Sequence, residues 1–391
     1  TKTFEYFINY TIIVRSVNVL VVFTYGYSFK TWENSGTISR EISLYKKLHQ
    51  EYNINFLFLT FGGREDEEFN YEDVGIKILP IYTKIKIRNS KFLNYLNSFL
   101  IPFYIKEEIK DVDIVKQNQL LGSWISIIIK FLYKKPIFVR TGYDMYKFSI
   151  EDKKKYFTKK LYKVLTKYTL KFADLYTVTS NSDLKFLNNT FKFKKEIKIR
   201  RNWILKKEYN NFDERYKNKI LSVGRLEKQK DFTYMIKSLK NTQFQLDIVG
   251  EGSLKESLLK RADQNNVNLN ILNNMENERL LDFMTNYKYF ISTSSFEGNP
   301  KSLLEALSAG CVVIATDIEN HKEIIKHNDY GILYSKPKNE LPNIFEHLGT
   351  DEAKEKLLSE NAYKVVNDIF SINKIVSDEI MDYRNLSKDD K

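Results

Sequence analysis

The sequence predicts an α/β protein built from two doubly wound parallel sheets, one in each half of the chain, facing each other across a cleft. Three observations predict it. Apolar runs of strand length alternate with helix-like segments. The alternation stops at a polar, aperiodic stretch near the middle and then restarts. A chain of 391 residues is also too long for one ordinary core, so two domains are the natural division.

The first series opens at Val17–Phe23, a continuous apolar run of the kind expected for a strand buried on both faces. A helical pattern follows over Thr37–Glu51. Further strands are expected at Asn53–Phe61, Val74–Leu79, Asp113–Lys116, Pro136–Arg140, Ala173–Thr179 and Glu196–Ile199. Residues 200–218 lack regular periodicity and read as the linker. In the second series, strands fall at Lys219–Val223, Phe244–Val249, Val267–Leu272, Tyr287–Ser292 and Cys311–Ala315, with helices over Phe232–Leu239 and Leu254–Gln264. Two closing helices are expected, parted near Ser371. The domain boundaries that follow are an extension over 1–16, a first domain over 17–205, a second over 206–370, and a last helix within 371–391 that crosses back to the first domain. Residues 388–391 read as a frayed tail. The extension is too short and too polar to span a bilayer. Doubly wound sheets bind ligands outside the carboxyl ends of their strands, so the cleft is where function is expected.

Composition narrows the class. Hydrophobic residues make up 42% and charged residues 29%, a globular balance that excludes a disordered chain. The one cysteine, Cys311, lies in an apolar run, which excludes a disulfide framework and a cysteine-based metal site and fits a reducing compartment. Four scattered histidines argue against a histidine zinc site. The net charge of +12 is uneven: residues 1–205 hold 35 basic and 20 acidic residues, residues 206–391 hold 27 and 30. Codon bias toward lysine would act on both halves alike, so the basic half points to an anionic partner. Within it, Lys147–Arg201 carries 16 basic and 5 acidic residues. Residues 84–106 combine Lys84, Lys86, Arg88 and Lys91 with Phe92, Leu93, Leu96 and Leu100, a segment suited to an anionic bilayer surface or, equally, to a core-facing helix. No aromatic–basic recognition module is evident, which tells against nucleic acid.

Four segments carry chemistry. Ser294–Gly310 follows a strand and opens a helix. In it Gly298 lets backbone approach a ligand closely, Pro300 suits a first helical turn, and the free N–H groups of that turn suit phosphate. Glu297 precedes the helix and Glu305 lies two turns inside, so two carboxylates address one cleft, where they are good acceptors for sugar hydroxyls. The second segment, Leu221–Asp231, places Arg225 and Lys230 after the first strand of the second series. The third, Gly250-Glu251-Gly252, lacks the third glycine of a dinucleotide fingerprint, where Lys255 stands, so a nicotinamide reading fails and the turn is structural. The fourth, Asn34–Arg40, puts Gly36 at the opening of a helix. Tyr143 and Asp144 follow the strand ending at Arg140, stand at the cleft and are candidate ligand contacts. Asp111-Val112-Asp113 has a metal-binding form, but it begins a strand, at the end away from the cleft, and no metal role is expected.

The Glu297–Glu305 segment resembles the E-x7-E signature of retaining family 4 glycosyltransferases, the glycosyl transferases group 1 of GT-B fold with two Rossmann-like domains. The likeness is strong over 219–335, weak before 200, and spans 17 to about 370. It implies that Glu297 contacts donor-sugar hydroxyls and Glu305 the ribose, that Arg225 and Lys230 hold the donor diphosphate, and that Gly298, Asn299, Pro300, Lys301, Ser302 and Leu303 line the donor. It also sets Gly36 in a glycine-rich loop facing phosphate. Asp231 stands where the family has glycine, and the histidine common near residue 140 is missing. The Arg200–Ile204 stretch resembles the family's entry to the linker, much altered. The expected activity is transfer, with retention, from a nucleoside diphosphate sugar to a lipid-linked or polysaccharide/glycolipid acceptor in cell-surface glycan biosynthesis, such as that of polysaccharide or lipopolysaccharide. Glu297, Arg225 and Lys230 are then the catalytic group. Neither cofactor nor metal is expected, and the protein is expected in the cytoplasm, peripheral on the inner face of the membrane. The alternatives are a nucleotide-sugar epimerase of the same fold and a basic nucleic-acid-binding protein.

Overall fold

The computed structural model describes residues 16–193 and 195–388, so the extension before Ser16 and the tail after Lys388 lie outside the described residues. Seven strands form the first sheet: β1 (Val17–Val22), β2 (Ile54–Thr60), β3 (Ile76–Pro80), β4 (Ile114–Asn118), β5 (Ile137–Thr141), β6 (Leu175–Val178) and β7 (Ile197–Ile199). Six form the second: β8 (Tyr216–Val223), β9 (Gln245–Val249), β10 (Asn268–Leu272), β11 (Tyr287–Ser292), β12 (Val312–Thr316) and β13 (Ile332–Tyr334). Their orders are β3-β2-β1-β4-β5-β6-β7 and β10-β9-β8-β11-β12-β13. Neighbouring strands pair in parallel throughout. In each sheet the order reverses beside the first strand, next to β4 or β11. Those are the points where a doubly wound sheet opens a crevice. The expected fold class, two Rossmann-like sheets, is the observed one.

Side-chain alternation explains why both faces are covered. In β8–β12, Leu221, Val249, Phe290 and Val313 pack into one core, while Ile220, Ile248, Ile291 and Ile314 pack into another. A strand apolar at every position has no face to give to water and needs helices on both sides. The sequence pattern missed β13, whose three residues are too few to show a period.

The last helix, Ile372–Lys388, leaves the second domain. Its Ile375, Val376, Ile380 and Tyr383 join the first domain's core. Lys116, fully buried on β4, pairs there with Glu379. The chain therefore passes between domains twice. The two passages run side by side: Ile204 bridges Ser371 in parallel, and Ile204 N–H donates to Phe370 O at 3.1 Å.

Candidate active site

The loop after β11 and the turn after β8 are stitched together. Thr293 Oγ1 donates to Lys230 O (2.7 Å), Ser295 N to Gln229 O (2.9 Å) and Gln229 Nε2 to Phe296 O (2.8 Å). Glu297 is thereby brought against Lys230. Its Oε1 accepts from Lys230 Nζ and from Ser294 Oγ, each at 2.6 Å. Burial alone would raise this carboxyl, but the Lys230 ammonium and the hydrogen bonds from Lys230 and Ser294 outweigh it and hold Glu297 below its ordinary value. The sequence placed Arg225 and Lys230 together opposite the glutamate. In the structure Lys230 pairs with Glu297, and Arg225 is exposed on the rim of a cavity.

Asp231, where glycine was expected, has a left-handed backbone (φ 48°). Glycine adopts that conformation without cost and aspartate tolerates it. The residue gains two contacts in exchange: it caps the helix Phe232–Ser238 through Tyr234 N, and it pairs with Lys336 at 2.7 Å.

The following helix, Lys301–Ser308, begins one residue later than the sequence suggested, with Pro300 as its cap. The N–H groups of a first turn have no partner inside the helix. Leu303 is 1% exposed and its side chain belongs to the core, so only its backbone can meet a ligand. Gly298 O accepts from Asn320 Nδ2. Asn299 ties the loop to the first domain, donating from Nδ2 to Thr179 O (3.2 Å) and accepting at its carbonyl from Asn202 Nδ2 (3.0 Å). Two turns into the helix, Glu305 is buried and both its hydrogen bonds converge on Oε1, from Arg40 Nη1 at 2.9 Å and Asn277 Nδ2 at 2.7 Å. Ser302 is half-buried in the same first turn as Lys301.

The first domain supplies the facing wall. Tyr143 is 36% exposed and its backbone abuts Gly298; a Cβ on Gly298 would lie 2.7 Å from Tyr143 Cβ and 2.8 Å from Gly142 O. Asp144 does not reach the cleft. It is buried and caps the helix Met145–Glu151 by accepting from Lys147 N. Burial pushes its carboxyl up to about 7, against the opposing hydrogen bond from Lys147. Gly36 (φ +67°) faces the second domain's backbone: a Cβ there would stand 2.1 Å from Met275 O, and Gly36 O accepts from Asn277 N. Its role is close contact between domains, and it lines neither cavity described next.

Of the cavities that span the seam, two border Tyr143. One, of about 570 Å³, is lined by Arg225, Lys228 and Gln229 from the second domain and by Tyr143, Phe148 and Lys154 from the first. The other, of about 270 Å³, is lined by strand ends and the first two helices of the first domain, with Lys301 entering from the second. Arg40, Glu41, Lys116, Arg140 and Trp203 line it, and the motifs assigned none of them a role. Lys301 pairs with Glu41 and lies 5.6 Å over the Trp203 ring. Although its side chain is 31% exposed, desolvation deep in the seam and the nearby Arg40 push its ammonium down to about 8. Burial would raise the Glu41 carboxyl, but Lys301 and Arg40 pull it down to about 2.

Asp113 immediately precedes β4 at its amino end, with Oδ2 accepting from Asn18 N, so the Asp-Val-Asp segment is remote from the seam. Among the described residues, no group of three or more histidines, cysteines or acids could hold a metal ion.

The chain matches the family profile of glycosyl transferases group 1 over residues 205–365, the span that carries Arg225, Lys230, Glu297 and Glu305. That match lies in the second half of the chain and covers less than half of its residues. The capsular polysaccharide biosynthesis glycosyltransferase CapH of Staphylococcus aureus is 25% identical over 309 residues, 76% of this chain and 82% of that one. The N-acetylgalactosamine-N,N'-diacetylbacillosaminyl-diphospho-undecaprenol 4-alpha-N-acetylgalactosaminyltransferase of Campylobacter jejuni is 32% identical over 117 residues, 29% of this chain and 32% of its own. Among solved structures, HepE of Anabaena in complex with UDP superposes with a TM-score of 0.73 at 15% identity, covering 94% of this chain and 100% of HepE. The two-domain architecture is thus that of GT-B glycosyltransferases. These findings support a glycosyltransferase and do not favour the epimerase alternative.

Proposed function

We propose that the chain transfers a sugar from a nucleoside diphosphate sugar, with retention of anomeric configuration, to a lipid-linked or polysaccharide acceptor in cell-surface glycan synthesis. The observation that carries this reading is the Glu297–Lys230 pair, held at 2.6 Å beside the start of the Lys301–Ser308 helix. As the glycosidic bond breaks, negative charge gathers on the leaving diphosphate. Lys230, held by Glu297, and the first-turn N–H groups are fixed donors for that charge, Arg225 on the cavity rim adds a second cation, and the reading calls for no metal or other cofactor. Glu297 orients donor-sugar hydroxyls through Oε2, and Glu305 uses the oxygen left by Arg40 and Asn277 for the ribose. The UDP bound by HepE and the polysaccharide named for CapH support a nucleotide-sugar donor and a glycan acceptor. The test is to incubate the protein with a panel of nucleotide sugars and follow the released sugar by NMR. Release of the donor's own anomer is expected; release of the opposite anomer would exclude retention, and product formed without water or acceptor consumed would favour epimerisation.

A peripheral site on the inner face of the membrane belongs to the same reading. Phe92 (67% exposed), Phe103 (57%), Phe131 (62%) and Phe157 (82%) project from helices of the first domain. These helices are neighbours: Tyr95 and Phe99 pack on Trp124, and Phe131 packs on Phe172. Exposed rings amid lysines suit an anionic bilayer surface. No helix among the described residues is long and apolar enough to cross a membrane. Co-sedimentation with anionic vesicles is expected, weakened by salt and by Phe92→Ser with Phe157→Ser; equal recovery with and without vesicles would remove the membrane from the proposal.

A further inference from the structure

The smaller cavity at the seam holds an unbalanced charge. Four cations border it: Arg40, Lys116, Arg140 and Lys301. Three carboxylates answer them. Glu41 pairs with Lys301 and Arg40, Glu305 with Arg40, and Glu379 with Lys116. Four minus three leaves one positive charge, and it falls on Arg140.

Arg140 is 8% exposed and has only neutral partners. Its Nη2 donates to Arg201 O at 3.3 Å and to Asn202 Oδ1 at 3.2 Å, and the guanidinium sits 5.1 Å over the Trp203 ring. Its Nε is buried without a hydrogen-bond partner. Glu41 and Glu379 feel its field, but each is already committed to another cation. An arginine cannot shed its proton to relieve this, and a buried charge without a counter-charge is costly. A planar guanidinium with an open donor is matched to a planar or tetrahedral oxyanion.

We propose that this chamber is a subsite for an oxyanion, a phosphate or carboxylate, carried by the sugar acceptor, with Arg140 as its principal ligand. The proposal rests on the glycosyltransferase reading above. Its assignment to the acceptor follows from the walls. Thr24, Asn118 and Arg140 stand at the carboxyl ends of β1, β4 and β5, and Tyr143 is shared with the Arg225 cavity on the donor side. An anion there stands across Tyr143 from the donor phosphates.

The test uses the full chain saturated with UDP, so that the donor's own phosphate site is filled. Inorganic phosphate and glucuronate are titrated by calorimetry against a chloride control of equal ionic strength. At least one is expected to bind, roughly tenfold or more weakly in Arg140→Gln, the loss expected for one charge-assisted contact. Arg140→Lys is expected to restore part of the affinity, and UDP affinity is expected to be unchanged in both variants. Glu41→Gln removes a chamber carboxylate and leaves Arg140 intact, so it is expected to tighten anion binding, which keeps the test open should Arg140→Gln fail to fold. Absence of anion binding to the UDP-saturated protein, or binding indifferent to both substitutions, overturns the proposal. A loss in Arg140→Gln of affinity for UDP-glucuronate relative to UDP-glucose overturns the acceptor assignment by placing the anion on the donor. Should UDP itself fail to bind, the donor reading falls, and dependence of phosphate binding on Arg140 without UDP still decides the chamber.

Discussion

Lys230 and Glu297 decide the donor site as a pair. Their side chains are 16% and 8% exposed, and the carboxylate is held ionised. Removing one partner strands the other charge largely out of water, a change that costs about 3–5 kcal/mol for buried pairs. Lys230→Met and Glu297→Gln are therefore each expected to lower stability in urea unfolding. The double variant is expected to lose less than the sum, with a coupling of roughly 0.5–3 kcal/mol. Donor turnover behaves differently. It is expected to fall about 10²–10³-fold in either single variant and to stay low in the double one, because refilling the gap does not restore a fixed donor of charge. Strict additivity in stability would show that the pair is not coupled. Each residue was visible in the sequence by its motif. Their contact was not, because it depends on Thr293, Ser295 and Gln229 joining two loops more than sixty positions apart, and hydrogen bonds between loops leave no period in a sequence.

At the scale of elements, strands buried on both faces declared themselves as apolar runs and the others through their regular alternation with helices, so twelve of the thirteen strands were legible, the exception being the three residues of β13. Turns were legible only where glycine marked them. Asp231 shows the limit: its left-handed turn and its cap on the helix Phe232–Ser238 read, from sequence, as a weakened motif. The seam between the domains was almost illegible. Arg140 and Trp203 sit in ordinary strand-end and linker stretches, and only the apposition of the two sheets gives them neighbours. Gly298 tests that seam. A methyl group there would stand 2.7 Å from Tyr143 Cβ and 2.8 Å from Gly142 O, and neither atom is the end of a flexible side chain. The strain falls between domains rather than inside a core, so Gly298→Ala is expected to open the seam without unfolding either sheet. The radius of gyration from small-angle scattering should rise and turnover should fall, with the far-ultraviolet circular dichroism unchanged. Unaltered scattering together with unaltered turnover would show that the seam is loose enough to absorb the clash.

Across the whole molecule, the last helix makes two domains into one machine. The chain returns from the second domain beside its own outward passage, Ile204 against Ser371, and the helix Ile372–Lys388 then buries Ile375, Ile380 and Tyr383 in the first domain. Two parallel passages restrain how far the sheets can move apart while leaving them a common line about which to turn. The anchor is ionic as well as apolar. Arg200 donates to Asp382 at 2.6 Å and 2.8 Å, and Lys116 pairs with Glu379 where both side chains are almost wholly buried. Burial would raise the Glu379 carboxyl, but Lys116, with Arg140 behind it, holds it below its ordinary value. Glu379→Gln leaves the Lys116 ammonium buried without its counter-charge and is expected to cost about 3–5 kcal/mol. The sign with pH follows from the depressed carboxyl. In the native protein the pair contributes fully above the ordinary carboxylate range and loses that contribution as the pH falls toward the lowered value, because the unfolded chain takes up the proton first. The stability gap between wild type and Glu379→Gln is therefore expected to be widest near neutral pH and to narrow on acidification, as read from urea midpoints. A gap that stays constant with pH would mean that Lys116 does not hold the Glu379 carboxyl down and that this pair adds no pH-dependent stability to the anchor.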